Sequence, residues 1–298
     1  MGLPNTTQML TSREIKVLHL EPTDVCQAAC PLCARETDSV FRKDRQHHLD
    51  MHQIMQVFDA DRIAALDKMF MCGNYGDPAA GKHTLDIYRE FRKLNNDIVL
   101  GMNTNGALQN TLWWHELGRI FNQSQDYVVF SIDGLEDTNP VYRKNVSWSK
   151  LMSNIEAFVA AGGSAHWDML VYRHNQHQVE ECKQLAQDLG FRWFRAKVSK
   201  RGFTDRLEHP IGWVDPRING TTINCHALNE QSVFIDAQGR LSPCCWLGSR
   251  QQNFITDFDQ IQNSWSSSTP NTVCLDTCGT TNLNTSFTNQ WQQNIELT

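Results

Sequence analysis

The sequence predicts an α/β fold followed by a small, loop-rich and cysteine-rich domain. Between residue 15 and about residue 198, short β-like runs alternate with amphipathic helical stretches. After residue 198 the helical periodicity fades, and five of the ten cysteines lie in this later part. A segment with so few apolar residues usually needs a metal or a disulfide to hold it together. The length of 298 residues is sufficient for one large and one smaller domain.

Six β-like runs define the strands of the predicted sheet. Helices are expected between them, near residues 50–65, 83–94, 111–122, 148–161 and 176–189, and the last of these ends before Gly190. Strict alternation of this kind predicts a parallel sheet with crossover helices, whose sites lie at the carboxyl ends of the strands. The predicted strands are 15–21, 68–73, 97–103, 126–133, 165–172 and 191–198.

Composition limits the cellular setting and the partners of the chain. No apolar run is long enough to cross a bilayer, and the amino terminus lacks the features of a secretory signal. We therefore expect a cytoplasmic protein with no membrane partner, in which clustered cysteines bind metal or carry chemistry. The formal net charge of −6 disfavours a nucleic-acid partner, which usually requires a basic face.

Three cysteines follow the first strand in the stretch "EPTDVCQAACPLCARE", with the spacing C-x3-C-x2-C. A disulfide, a zinc site, a redox pair or an iron–sulfur site could be built from them. Zinc requires four ligands, and no fourth is present in the local spacing, whereas a redox pair uses only two thiols. Three thiolates suit a cubane cluster in which the fourth iron stays open to a ligand. The three residues are Cys26, Cys30 and Cys33.

This motif resembles that of the radical S-adenosylmethionine (SAM) enzymes. In that superfamily the open iron chelates SAM, and an electron from the cluster cleaves SAM to give a 5′-deoxyadenosyl radical that abstracts a substrate hydrogen. The resemblance implies a partial (β/α)6 TIM-like barrel, SAM and a [4Fe–4S] cluster as cofactors. It also implies an external electron donor such as flavodoxin or ferredoxin.

Three further strand ends carry segments similar to those of the same superfamily. "CGNYGDPAA" is similar to the glycine-rich segment that binds the SAM amino group, and "NTNGAL" is similar to the strand-end T-N-G. "FSIDGLEDTNPVYRKN" resembles the S-x-D-G segment with its downstream Arg. Asp133 in this segment could act on substrate or could hold the turn. The resemblance implies that SAM is contacted by Leu32, Gly73, Gly76, Asp77, Asn103, Asn105, Ser131 and Arg143.

A second cysteine set resembles the opening of the SPASM and twitch extensions that follow radical SAM barrels. Its spacing is C-x13-G-x4-C, and "SVFIDAQGRLSP" reads as a β-hairpin with Gly239 in the turn. The resemblance implies a second [4Fe–4S] cluster, saturated by four thiolates and acting as an electron conduit or acceptor; a structural zinc is the alternative. Cys245 is a spare that could exchange with Cys244, and His226 could contact the set. The four ligands are Cys225, Cys244, Cys274 and Cys278.

These expectations combine into one domain plan and one function. The plan is an N-terminal extension (1–14), the barrel (15–198), the auxiliary domain (199–280) and a polar tail (281–298). We expect an enzyme that modifies a side chain of a peptide or protein. The alternatives are a dehydrogenase of a small molecule such as an amino sugar and a non-catalytic zinc or iron–sulfur protein. RNA modification is disfavoured by the acidic charge.

Overall fold

Six parallel strands follow one another across a single sheet in chain order. The computed structural model describes residues 15–38, 41, 43–199, 203–212, 223–250, 271–279 and 295–297. All six predicted strands are present within two residues of the expected bounds, as a partial barrel requires. They are β1 (Val17–Leu20), β2 (Lys68–Met71), β3 (Val99–Thr104), β4 (Tyr127–Ser131), β5 (Ala165–Val171) and β6 (Trp193–Val198).

Three further strands extend this sheet at its two edges. β7 (Ser232–Ile235) pairs in parallel with β1, and β8 (Leu241–Ser242) pairs with β7 in antiparallel fashion. This confirms the predicted hairpin, in which Gly239 adopts a φ of +79°. At the other edge, β9 (Ile295–Glu296) runs antiparallel to β6. The expected extension 1–14 and most of the tail, 281–294 and 298, lie outside the described residues.

The helices cover one side of the sheet. The helix expected over 50–65 is two short helices, because Asp59 caps the second one by accepting a hydrogen bond from the amide of Arg62. Asp50, Asn110 and Ser147 likewise cap the helices that follow them. The described helices are α1 (Ala34–Thr37), α2 (Met51–Met55), α3 (Ala60–Ala64), α4 (Thr84–Leu94), α5 (Thr111–Ile120), α6 (Asn139–Tyr142), α7 (Trp148–Ala160), α8 (Val179–Asp188), α9 (His226–Asn229), α10 (Cys245–Arg250) and α11 (Thr272–Cys278).

The two faces of the sheet differ in chemistry. Alternate strand residues such as Met102, Phe130 and Trp167 pack with the helices into the main hydrophobic core. The residues between them form the inner face, which we define as the side of the sheet turned away from that core. The inner face is polar toward the strand ends, where Ser131 and Asp168 lie in register. No helix among the described residues is long and apolar enough to span a membrane.

Candidate active site

The first three cysteines lie on the loop after β1, at the carboxyl end of the sheet. Each thiol contacts a different strand-end segment. The amide of Asn105, after β3, lies 3.8 Å from Cys26 Sγ, and Nη1 of Arg143, after β4, lies 4.0 Å from Cys30 Sγ. Cys33 Sγ lies 4.0 Å from the carbonyl oxygen of Asn74, after β2. The fold therefore brings the three predicted ligands together with three of the predicted SAM segments.

The same loop is held by two of its own side chains, Asp24 and Arg35. Asp24 accepts hydrogen bonds from the amide of His47 at 2.8 Å, and its other oxygen lies 2.7 Å from His47 Nδ1. Arg35 donates to the carbonyl oxygens of Asp24 at 2.5 Å and Tyr75 at 3.2 Å. These bonds connect the two ends of the cysteine loop to its neighbours, so that the thiols keep their spacing.

The glycine-rich segment after β2 packs directly against the start of the cysteine loop. A Cβ atom built on Gly76 would lie 1.8 Å from the carbonyl oxygen of Thr23, so no larger residue fits without movement of the backbone. Glu21 accepts hydrogen bonds from the amides of Tyr75 at 2.7 Å and Gly76 at 3.2 Å. A Cβ on Gly73 would lie 2.3 Å from the carbonyl oxygen of Gly76, which shows how tightly this turn is folded.

Asp77 ends this segment as a buried carboxylate that already has four hydrogen-bond donors. Oδ1 accepts from the amide of Ala79 at 2.9 Å and from the hydroxyl of Thr104 at 2.8 Å. Oδ2 accepts from the backbone amide of Asn105 at 2.8 Å and from its side chain at 2.6 Å. A carboxylate has about four acceptor sites, so this one is saturated inside the protein. Asp77 thus joins the glycine-rich segment to the end of β3.

The residues expected after β3 occupy two different environments. Asn105 is buried, and its side chain contacts Cys26, Asp77 and the amide of Gln27, whose Nε2 donates to Asn105 Oδ1 at 2.7 Å. Asn103 lies two residues earlier, within β3, on the inner face of the sheet and in register with Val129. Leu32 is half-buried and packs against the edge of the main core.

Arg143 and Asp133 form a buried ion pair beside Cys30. Nε of Arg143 donates to Asp133 Oδ2 at 2.7 Å, and the other oxygen of Asp133 accepts from the amide of Leu170 at 2.6 Å. Asp133 is fully buried, and its backbone is held by Asn139 and Asn175. Of the two roles considered for Asp133, the geometry supports the structural one, because it fixes the strand-end turn and orients Arg143. Ser131 precedes it on the inner face.

The four cysteines of the second set line one small apolar cavity. Cys225 lies just before α9, Cys244 just before α10, and the other two lie on α11. Electrostatic interactions connect Cys225 with each of the other three thiols. Burial raises the pKa of both the Cys225 and the Cys244 thiol to about 12. The remaining members are Cys274 and Cys278.

Cys245 does not line this cavity, although its thiol interacts electrostatically with that of Cys244. It interacts electrostatically with Cys72 and Glu21, and its carbonyl oxygen accepts a 2.9 Å hydrogen bond from Nδ2 of Asn74. The geometry therefore favours Cys244 over Cys245 as the residue facing the cavity. Asn74 also connects the glycine-rich segment to α10, a contact that the sequence did not predict. His226 approaches the set through its backbone, which forms a hydrogen bond with the Cys278 thiol.

The donor chemistry of both sites fits iron–sulfur clusters. Thiolates are the preferred ligands of such clusters, and the first loop offers three of them, which leaves one iron open. Among the described residues no three His, Cys, Asp or Glu side chains are close enough to hold a single metal ion. Thiols with raised pKa values ionise when a metal binds, because the cation offsets the cost of burying their charge.

Several residues of this region were missed in the sequence. Glu21 and Asn74 hold the glycine-rich segment, and three charged residues lie on the inner face of β5 and β6. The signal was present in the strands themselves, since "AHWDMLVY" and "FRWFRAKV" place polar residues at alternate positions. Parallel strands buried on both faces are usually apolar throughout. The missed charged residues are Asp168, Arg195 and Lys197.

Two solved structures with a similar fold were found by comparison with known proteins. The chain is similar to SuiB from Streptococcus suis bound to S-adenosylmethionine, with 13% identity and a TM-score of 0.57, over 85% of this chain and 65% of SuiB. It is also similar to native anSMEcpe bound to AdoMet and the Cp18Cys peptide, with 14% identity and a TM-score of 0.55, over 77% of this chain and 73% of that one.

At this identity the likeness to solved structures shows the fold, and the chain spans about 65% of the SuiB length. A search of curated proteins found no match. The family model described as "Radical SAM superfamily" matches residues 20–189, which is more than half of the chain. Together with the cysteine loop at the strand ends, this match shows that the chain belongs to the radical SAM superfamily.

Proposed function

We propose that this enzyme modifies a side chain of a peptide or protein and uses a second [4Fe–4S] cluster as an electron conduit. The observation that carries the second cluster is the convergence of four cysteines on one cavity. Support for a peptide comes from two similar structures, since SuiB has been solved with its precursor peptide SuiA and anSMEcpe with Cp18Cys.

As a radical SAM enzyme, the chain uses a [4Fe–4S] cluster and SAM. When bound, these supply an electron and a radical that removes a hydrogen atom from the substrate. Cys26, Cys30 and Cys33 would hold the cluster through three thiolates. Their contacts with three strand-end segments hold the loop in place, so the cluster and SAM would share one pocket at the mouth of the barrel.

The SAM-binding role of the glycine-rich segment rests on its backbone. Gly73 and Gly76 let the segment fold tightly against itself and against Thr23, which fixes the direction of its peptide groups. The saturated Asp77 is better suited to position this backbone and Asn105 than to receive the SAM ammonium itself. The predicted ionic contact of Asp77 with SAM therefore becomes a positioning role in this proposal.

Arg143, Ser131 and Asn103 would contact the methionyl and ribose parts of SAM. Arg143 uses Nε for Asp133 and directs Nη1 toward Cys30, one of the three residues that would hold the cluster. A guanidinium held in this way can bind a carboxylate without losing further side-chain entropy. Asp133 acts here as the positioning residue of Arg143.

The four thiolates of the second set would saturate their cluster and leave no iron for substrate. An electron conduit is then the role that the site supports, in a reaction that removes two electrons overall or returns one to the first cluster. The apolar lining of the cavity, which includes Leu247 and Val273, would exclude water from the cluster. Exposed and buried thiols of this kind stay reduced in the cytoplasm, the location that the sequence predicts.

Anaerobic reconstitution tests the proposal directly. We expect about eight irons per chain, and 5′-deoxyadenosine on addition of SAM and reductant. Replacing Cys26, Cys30 and Cys33 with Ala should abolish this product and leave about four irons. Replacing Cys225 and Cys274 with Ala should also leave about four irons but preserve SAM cleavage by a chemical reductant.

Cys182 provides the matched control. It is a fully buried cysteine on α8, outside both sets, so Cys182→Ala should leave the iron content and SAM cleavage unchanged. Zinc instead of iron in the second site would refute the conduit. Turnover of an amino sugar but of no peptide would refute the peptide substrate and support a small-molecule dehydrogenase instead.

A further inference from the structure

Asn74, in the glycine-rich segment after β2, lies between the two cysteine sets. Nδ2 of its side chain donates a 2.9 Å hydrogen bond to the carbonyl oxygen of Cys245. Its own carbonyl oxygen lies 4.0 Å from Sγ of Cys33, a predicted ligand of the first cluster. Cys245 directly follows Cys244 in the chain, and Cys244 lines the cavity of the second set. Asn74 therefore connects a ligand of the first set with the neighbour of a ligand of the second.

The backbone around Asn74 is held by one buried carboxyl group. Three consecutive backbone amides, those of residues 74–76, form hydrogen bonds with the side chain of Glu21. The amide of Glu21 in turn donates to the carbonyl oxygen of Ile235, at the end of β7, at 2.9 Å. These bonds fix the glycine-rich segment to the sheet. The Asn74 side chain extends the connection from the sheet to α10.

The start of α10 lies between this segment and the second cysteine set. The carbonyl oxygen of Cys244, just before the helix, accepts hydrogen bonds from Oγ of Ser242 at 3.1 Å and from the amide of Gly248 at 2.9 Å. A Cβ atom on Gly248 would lie 2.8 Å from the ring of Phe234, so the helix packs closely against β7. A metal bound by the second set would connect the start of α10 with α9 and α11, beside or within which the other three cysteines lie.

The glycine-rich segment therefore depends on the position of α10. Loop-rich parts of a protein open locally at a much lower free-energy cost than the core does. When the start of α10 moves, the Asn74 side chain loses its acceptor, and the segment that carries it gains conformational freedom. A ligand that requires one conformation of the segment then binds more weakly, in proportion to the fraction of molecules in other conformations. A metal at the second set would suppress this opening, because it would cross-link α10 to two other helices.

We propose that Asn74 is a positioning residue for SAM, through which metal binding at the second cysteine set raises the affinity of the enzyme for SAM. The proposal rests on the proposed function, since it assumes that the glycine-rich segment binds SAM and that the second set binds a metal. The identity of that metal is not critical, because zinc and a [4Fe–4S] cluster both cross-link four thiolates. Such coupling is reciprocal, so bound SAM should also stabilise the metal at the second set.

The dissociation constant of SAM, measured by equilibrium dialysis on the anaerobic, iron-loaded protein, tests this coupling without a measurement of activity. Replacing Cys225 and Cys274 with Ala empties the second set and should raise this constant at least about threefold, as expected for the loss of one hydrogen bond between uncharged groups. Asn74→Ala should cause a loss of similar size, although about eight irons remain bound. The two losses should not add in the triple variant, because both act through the same hydrogen bond.

Two further variants separate the hydrogen bond from other effects. Asn74→Leu keeps the approximate volume of the side chain but lacks the donor, so it should bind SAM as weakly as Asn74→Ala. Asn95→Ala is the matched control. Asn95 also donates from Nδ2 to backbone carbonyl oxygens, those of Ala64 and Leu66, but it follows α4 at the amino end of the sheet. This variant should leave the dissociation constant of SAM within about twofold of the unmodified value.

Three results would overturn the proposal. SAM affinity that stays the same when the second set is emptied would exclude the coupling. An effect of emptying the second set that persists in Asn74→Ala would assign the coupling to other residues. Equal losses in Asn95→Ala and Asn74→Ala would indicate a general loss of stability.

Failure of the proposal can be distinguished from failure of the proposed function. Zinc in the second set would refute the electron conduit and leave the coupling intact, whereas a second set that binds neither metal would refute both. If the variant of Cys225 and Cys274 also loses the first cluster, the two Asn74 variants decide the question. Unchanged SAM affinity in Asn74→Ala and Asn74→Leu at full iron content would then refute the positioning role.

Discussion

Replacing Asp77 tests whether its carboxylate positions neighbouring residues or binds SAM directly. Its four donors are the amides of Ala79 and Asn105, the Asn105 side chain and the Thr104 hydroxyl. In Asp77→Asn the new amide nitrogen can turn toward the Thr104 hydroxyl, which is able to accept. Only the hydrogen bond from the Ala79 amide is then lost, which should lower the free energy of unfolding by about 1.5–3 kcal/mol. Asp77→Ala leaves both backbone amides without an acceptor and should lower the free energy of unfolding by about 3–6 kcal/mol.

Guanidinium unfolding of the metal-free protein, followed by tryptophan fluorescence, measures these losses. SAM affinity is measured on the iron-loaded Asp77→Asn variant. A positioning role predicts a change of no more than about threefold, because a loss of local stability is only partly transmitted to the ligand. The reasoning fails if Asp77→Asn unfolds like the unmodified protein and yet binds SAM more than tenfold more weakly. In that case Asp77 would contact the ammonium directly.

Three other experiments test separate parts of the site. Burial raises the pKa of Glu21 from 4.5 to about 8, so the folded protein keeps a proton that the unfolded chain has released. The free energy of unfolding should therefore fall as the pH rises from 4.5 to about 8, by at most about 1.4 kcal/mol per pH unit, and denaturant titrations of Glu21→Gln should lack this slope. Gly76→Ala places a Cβ atom against the Thr23 carbonyl and should abolish SAM binding in equilibrium dialysis while the iron content persists. Cys244→Ser should remove about four irons and Cys245→Ser none, and the opposite result in iron analysis would exchange their roles.

The sequence predicted what depends on local pattern. The six barrel strands and the cysteine loop follow from hydrophobic runs and from cysteine spacing, both of which are short-range signals. Gly239 predicted the position of the hairpin turn for the same reason, because a tight turn with a positive φ favours glycine. The broken helix at Asp59 shows the limit of this approach, since a capping side chain within a periodic stretch can begin a new helix.

Roles that depend on distant partners were harder to predict. Asp77 is predicted to contact SAM because its segment resembles one that does, whereas its hydrogen bonds with Thr104 and Asn105 involve residues of another strand end that local pattern does not connect with it. Asp133 was ambiguous until its partner Arg143 and the amide of Leu170 were located. The pairing of β7 with β1 could not be derived from spacing, because it joins segments more than two hundred residues apart.

The hydrogen bond from Asn74 to Cys245 spans 171 residues of sequence, and this has a consequence for biosynthesis. Contacts of such separation form late, since the intervening chain must first be made and closed into a loop. β1 also gains its second neighbour only when β7 arrives, so until then it presents an exposed edge. A ribosome that has released only the first 198 residues has produced every predicted SAM segment, yet the bond that holds Asn74 forms only after the chain has reached α10.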